Sequence, residues 1–133
     1  MFSAVRSKPF KVLMVEDTMI VAKALRFLLE KRECEVIVVE SGEEALKVLD
    51  DSFDCVLMDL GLPGISGMET IERIRDGQSQ NPDVRIYILT AHEASEAEAE
   101  EPELKEKIKA LRITGFFTKP LSSEDLNKIL KHM

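Results

Sequence analysis

The chain has 133 residues, 44% of them apolar, which suits one compact domain with a hydrophobic core. Its formal net charge of −7 at pH 7 argues against binding nucleic acid or an anionic membrane through simple electrostatics, because those partners select for clustered Lys and Arg. No run approaches the ~20 consecutive apolar residues of a membrane-spanning helix, and the first residues lack the apolar centre of a signal peptide, so a cytoplasmic protein is expected.

Short apolar runs alternate with segments of helical periodicity along the chain. The runs predict buried strands at Val12 to Val15, Val36 to Val39, Cys55 to Met58, Val84 to Leu89, and Phe116 to Phe117 with their neighbours. Apolar residues at helical spacing predict five helix faces: Val21, Leu25, Leu28 and Leu29; Ala45, Val48 and Leu49; Met68, Ile71 and Ile74; Leu104, Ile108 and Leu111; and Leu126, Ile129 and Leu130. This alternation predicts a doubly wound α/β domain with a parallel sheet covered on both faces.

Serines mark three of the predicted helix starts. Ser41, Ser66 and Ser122 each stand three residues before an acidic residue, which predicts capping boxes, and Pro102 suits the first turn of the fourth helix. Cys34 and Cys55 match no metal-binding spacing and are expected to be ordinary packed or partly exposed thiols.

Charged and hydroxyl side chains stand where the predicted strands end. Glu16 and Asp17 follow the first strand, Asp59 the third, Thr90 the fourth and Lys119 the fifth. In a doubly wound sheet these ends meet at one edge, where functional groups gather. Alone, the acidic pair is as compatible with an ordinary helix start, and Asp59 alone with a turn before Leu-Pro; together the five residues favour a site.

The chemistry that this set permits is phosphoryl transfer to Asp59. A carboxylate can attack phosphorus to give an acyl phosphate, but an anion then approaches an anion, so a divalent cation must bridge them. Glu16, Asp17 and Asp59 would hold Mg²⁺, with Mn²⁺ as the other candidate, and the backbone carbonyl of Gly61 would supply a further oxygen. The Lys119 ammonium and the Thr90 hydroxyl would bind phosphoryl oxygens.

The segments VLMVED, LMDLGLPGISGMETIERIR, ILTA and GFFTKP resemble, in order and spacing, the receiver domain of two-component response regulators. The resemblance covers about residues 10 to 131. It implies a flavodoxin-like fold with five strands in the order 2-1-3-4-5, a phosphoacceptor at Asp59, a Mg²⁺ acid pair at Glu16 and Asp17, and a phosphate-binding Lys119 followed by a cis peptide bond to Pro120. It also implies that Thr90 and Phe116 form the switch.

The predicted organisation is an N-terminal extension, residues 1–9, and a single receiver domain, residues 10–133. Thr90 and Lys119 stand further apart than in the family, so residues 92–103 look like an acidic insertion before or within the fourth helix. Gly61 offers no side chain to shield an acyl phosphate, and His92 would lie near the site or in a solvated loop.

The favoured function is a signalling switch rather than an enzyme. Asp59 would take its phosphoryl group from a sensor histidine kinase or a histidine phosphotransfer protein, and the change would reach a homodimer partner or an output domain through the face between the fourth and fifth helices. The alternative is a Mg²⁺-dependent phosphatase or phosphotransferase with an aspartyl nucleophile. A third reading is an interaction module that acts without phosphorylation. Nucleotide binding is weakest, since no glycine-rich phosphate loop follows the first strand.

Overall fold

The structure, a computed structural model, describes residues 8–91 and 102–131. Strands and helices alternate in it, as the sequence predicts. They are β1 (Phe10–Val15), α1 (Met19–Glu30), β2 (Cys34–Val39), α2 (Gly42–Val48), β3 (Cys55–Asp59), α3 (Gly67–Arg73), β4 (Arg85–Thr90), α4 (Pro102–Ala110), β5 (Gly115–Thr118) and α5 (Ser123–Leu130). A π-helical turn, Ile74–Gln78, continues α3, and the chain leaves helical geometry within it at Gly77, whose φ is 87°.

The five strands form one parallel sheet in the order β2-β1-β3-β4-β5, which confirms the predicted fold. The chain runs from β1 to β2 on one side and to β3 on the other, so the strand order reverses between β1 and β3. Ligand crevices in such sheets lie outside the carboxyl ends of the strands at this point. The fold therefore directs attention to the residues that follow β1 and end β3.

The core has two layers because successive strand residues point to opposite faces of the sheet. On β1, Val12 and Met14 pack with α1 and α5, while Leu13 and Val15 pack on the face of α2 and α3. All five residues of β3 are buried, as expected for the central strand of a sheet covered on both sides. The two free cysteines, Cys34 and Cys55, are buried in the first layer, in agreement with their prediction as packed thiols.

Some details of the helices differ from the prediction. Leu28 and Val48 belong to the predicted apolar faces but are 39% and 38% exposed. Ser41 and Ser66 accept the expected backbone N–H groups, but the reciprocal carboxylate bond forms only in the box of Ser122 and Asp125. A capping box at Ser66 is incomplete because its carboxylate partner, Glu69, pairs with Arg73 one turn later.

Two predicted segments fall mostly outside the described residues. Of the N-terminal extension, only residues 8 and 9 are described, and of the predicted acidic insertion only residues 102 and 103, which lie in the first turn of α4. Pro102 begins that helix, as predicted. Among residues 8–91 and 102–131, no helix is long and apolar enough to cross a membrane.

Candidate phosphoacceptor site

Asp59 is the last residue of β3, and its side chain lies at the carboxyl edge of the sheet. The residue is 8% exposed, so its surroundings enclose most of it. The N–H of Gly61 points at its Oδ1 over a long 3.4 Å. Gly67, at the start of α3, fixes its backbone: a Cβ built there would lie 2.4 Å from the Asp59 carbonyl oxygen.

The acidic pair follows β1 directly. The N–H of Glu16 donates to the Val39 carbonyl at 3.0 Å, which extends the β1–β2 pairing by one residue and turns the Glu16 side chain into the protein. Glu16 is 1% exposed, and its Oε2 accepts the N–H of Thr18 at 3.2 Å. Asp17, in contrast, is exposed.

Oxygens of Glu16, Asp17 and Asp59 all lie within 4.8 Å of one another. A hard divalent cation prefers such oxygen ligands, so the donor set fits Mg²⁺. The exposed Asp17 leaves room for water ligands, which Mg²⁺ usually retains. The predicted carboxylates are therefore brought together by the fold in an arrangement that a cation would stabilise.

Lys119 follows β5 and reaches the same cluster. Its Nζ donates to Glu16 Oε1 at 2.6 Å and lies 3.2 Å from Asp59 Oδ1. Burial alone would lower the pKa of Lys119, but the hydrogen bond to Glu16 and the charges of Asp59 and Glu16 outweigh it and raise that pKa above its ordinary value. Lys119 therefore stays an ammonium at neutral pH, beside the carboxylates of Glu16 and Asp59.

Thr90 ends β4 and is buried, and its carbonyl accepts the N–H of Lys119 at 2.7 Å. This bond ties the ends of β4 and β5 together. Phe116 lies deeper in β5, where it pairs with Ile88 and is half-buried against the layer formed by α2 and α3. The peptide bond between Lys119 and Pro120 is cis, as the family resemblance implies. His92 lies outside the described residues.

Three features of the site were not predicted from sequence. The preference of Lys119 for Glu16, the Thr18 amide bond and the contact at Gly67 all depend on tertiary geometry. Of these three, only the contact at Gly67 is hinted at by the sequence, because a glycine in the first turn of a helix lowers helix propensity and nothing nearby in the sequence requires it. A close backbone approach supplies that reason here.

A groove with a volume of about 360 Å³ adjoins the site. Its lining is mostly apolar, and Lys119 is its one charged residue. The residues that line it are Ile20, Val21, Ala24, Leu25, Leu28, Leu89, Lys119, Pro120 and Leu121. Ile20, one of these residues, is 81% exposed.

Comparison with known proteins is consistent with this geometry. Residues 12–131 match the family model of the response regulator receiver domain. An uncharacterised transcriptional regulatory protein of Bacillus subtilis, YrkP, is 32% identical over 120 residues, which are 89% of this chain and 46% of the relative. This chain thus spans less than half of that relative's length.

Two solved structures have similar folds. The chemotaxis protein CheY4 of Vibrio cholerae is 31% identical, with a TM-score of 0.76 over 93% of this chain and 98% of the other. The receiver domain of the sensor histidine kinase PA1611 of Pseudomonas aeruginosa, which holds a magnesium ion in its active-site cleft, is 25% identical, with a TM-score of 0.75 over 93% and 96% of the two chains.

Proposed function

The chain belongs to the response regulator receiver family of two-component signalling, and from this premise we propose that Asp59 accepts a phosphoryl group from a phosphohistidine donor. One observation carries the proposal: three carboxylates lie within 4.8 Å of one another, and an ammonium stands 3.2 Å from Asp59. This arrangement supplies the groups that a phosphoryl acceptor needs. The family supports it over the Mg²⁺-dependent phosphatase or phosphotransferase reading.

In the proposed reaction, an Asp59 carboxylate oxygen attacks phosphorus while the bond from phosphorus to the donor's imidazole nitrogen breaks. The electron pair of that bond stays on the imidazole, and the product is an aspartyl phosphate. When bound, Mg²⁺ or Mn²⁺ would neutralise the charge that gathers between the nucleophile and the phosphoryl oxygens. Glu16, Asp17, Asp59 and the Gly61 carbonyl would hold the ion.

Lys119 has two acidic neighbours, Glu16 and Asp59. Its ammonium already lies between Glu16 and Asp59, so it needs to move little to bind a phosphoryl oxygen. Thr90 would donate its hydroxyl to a second phosphoryl oxygen. Since the Thr90 carbonyl accepts the Lys119 N–H at 2.7 Å, a shift of either residue is transmitted to the other through the backbone.

The proposed output is a shift of population between two conformers. Phosphorylation would favour the one in which Thr90 and Phe116 move inward. Phe116 is half-buried beside the second core layer, so its side chain is not enclosed on all sides. The consequence would appear on the face between α4 and α5, where a second copy or an output domain would dock.

We propose that the phosphodonor itself docks on the apolar groove beside Lys119. An exposed Ile20 and a half-buried Leu121 line this groove together with Lys119, whose ammonium contacts Glu16 and Asp59. A donor must bring its phosphohistidine to Asp59 while covering the site from water. An amphipathic helix that carries the histidine suits a groove next to the site, because its apolar residues would bury Ile20 while the histidine reaches Asp59.

Paired substitutions test the donor surface. Ile20→Glu should slow transfer from a phosphorylated histidine phosphotransfer protein but leave labelling by acetyl phosphate unchanged, because the small donor needs no groove. Val48→Glu is the matched control, since Val48 is 38% exposed on α2, outside the groove. Equal transfer rates in the wild type and Ile20→Glu would refute the docking surface.

The phosphoacceptor is tested by intact mass after incubation with acetyl phosphate, with and without chelator. We expect a single phosphoryl group that requires Mg²⁺ or Mn²⁺ and is absent from Asp59→Asn. Undiminished labelling of Asp59→Asn would remove Asp59 from its proposed role.

A further inference from the structure

Arg75, in the π-helical turn after α3, joins three segments of the chain through its guanidinium. Its Nη1 donates to the carbonyls of Pro82 at 2.8 Å and Val84 at 2.7 Å, just before β4. Its Nε donates to the Leu111 carbonyl at 2.8 Å and its Nη2 to the Arg112 carbonyl at 3.1 Å, just after α4. One side chain thus ties the end of α4 to the start of β4.

These bonds matter more because the described side chains of α4 are poorly packed. From residue 105 to 110 no side chain is buried, and Ile108 alone is half-buried. Apolar burial, which holds most helices in place, is therefore scarce along this part of α4. Backbone hydrogen bonds hold the end of α4: the N–H of Leu111 donates to the Lys107 carbonyl at 2.8 Å, and that of Ile113 to the Ile108 carbonyl at 3.0 Å. The N–H of Thr114 then joins β4 at Ile86.

The partners of Arg75 are unusual for a charged side chain. Its four described hydrogen bonds all go to backbone carbonyls, and the nearby guanidinium of Arg112 pairs instead with Asp83 at 2.9 Å. Burial, and then the charge of Arg112, lower the pKa of Arg75, yet a guanidinium remains charged at neutral pH. Lysine could replace these bonds only in part, because an ammonium carries its three donors on one atom and lacks the planar fork.

We propose that Arg75 is a positioning residue that anchors the C-terminal end of α4 and makes that end the pivot of the switch. The anchor lies beside the start of β4, at the edge of the sheet opposite Asp59. A change at Thr90 would then turn α4 about its fixed end instead of displacing the whole helix. The pivot rests on the proposed phosphorylation switch, but the anchor does not.

The anchor is tested by amide hydrogen exchange in the unphosphorylated protein. In Arg75→Met, the amides of Leu111, Ile113 and Thr114 should exchange at least about tenfold faster, the change that a loss of ~1.4 kcal/mol produces. Exchange in β1 and β3 should not change by the same factor. Arg73→Met is the matched control, because Arg73 lies two residues earlier and its one described ion pair is with Glu69 in the same helix.

Arg75→Lys keeps the anchor testable if Arg75→Met does not fold, and it should give intermediate exchange at the same amides. Selective acceleration at these three amides supports the anchor. Acceleration spread evenly over the sheet, or an equal effect of Arg73→Met, overturns it, because either result describes general stability only.

The pivot is tested with Mg²⁺ and beryllofluoride, which mimics a phosphoryl group on Asp59. In the wild type the amides of Thr90 and Phe116 should shift while those of Leu111 and Ile113 stay unchanged; in Arg75→Met the shifts should spread to Leu111 and Ile113. Large shifts at Leu111 and Ile113 in the wild type overturn the pivot. A wild type in which no amide near Asp59 responds refutes the proposed function and the pivot with it, while the exchange ratios still decide the anchor.

Discussion

Replacing Gly67 with alanine should disturb the site without touching any charged group. A Cβ at this position would lie 2.4 Å from the Asp59 carbonyl oxygen and 2.8 Å from the Leu60 Cα. Ordinary contacts begin at 3.4 Å, so the start of α3 and the end of β3 must separate by about 1 Å. Both obstacles are backbone atoms, which cannot swing aside as a long side chain could.

The expected cost follows from that displacement. Overpacking of this kind costs about 1–3 kcal/mol, and for a domain of this size each kcal/mol lowers Tm by roughly 4 °C. The separation also moves the Asp59 backbone, and a misplacement of ~1 Å at a reacting group can cost on the order of a hundredfold in rate. Gly67→Ala should therefore melt several degrees lower and accept phosphate from acetyl phosphate much more slowly than the wild type.

Gly61→Ala is the control, because a Cβ at Gly61 meets nothing within 4 Å although Gly61 is also close to Asp59. Thermal denaturation gives the stability change, and intact mass against time gives the labelling rate. If Gly67→Ala and Gly61→Ala behave alike in both assays, the close approach of α3 does not position Asp59.

Three further predictions concern the cation, the switch and the sheet. Mg²⁺ should raise Tm, since binding to the folded state alone adds about 2.7 kcal/mol at a hundredfold excess over Kd; an equal rise with NaCl would contradict a specific site. Lys119→Ala and Thr90→Ala should stay folded and bind Mg²⁺ yet lose the amide shifts that beryllofluoride induces, and a full response in both would remove them from the switch. Burial, and then the nearby Cys55, raise the pKa of Tyr87, the single tyrosine of the chain. The contribution of Tyr87 to stability is therefore fully present below its unfolded pKa of about 10 and is lost as the pH rises through its folded pKa. Absorbance at alkaline pH should show a midpoint above that of the unfolded chain, and a midpoint equal to it would contradict the burial.

The sequence predicts the sheet and the members of the site because both depend on short-range patterns. Apolar runs of strand length alternate with helical periodicity, and the topology rules for parallel sheets then bring Asp59 and Lys119 to one edge. Resemblance to the receiver family supplied the strand order and the cis bond before Pro120, neither of which follows from periodicity.

The remaining features depend on distances between segments that are far apart in the chain. Lys119 and Glu16 are separated by 103 positions, so no local pattern reveals that their contact is shorter than the one to Asp59. Periodicity likewise places Leu28 on an apolar face but cannot tell that α1 leaves it 39% exposed beside a groove. The hydrogen bonds of Arg75 could not be predicted from the sequence either. Their acceptors are backbone carbonyls, which every residue has, so no residue type marks them.

The most direct test of the central claim is to locate the phosphoryl group itself. Borohydride reduces an aspartyl phosphate to homoserine, so reduction of the labelled protein followed by peptide mass spectrometry marks the acceptor residue. We predict homoserine at position 59 alone, formed only when Mg²⁺ or Mn²⁺ is present. Homoserine at position 17, or a labelled protein with Asp59 unmodified, would contradict the assignment of Asp59 as the phosphoacceptor.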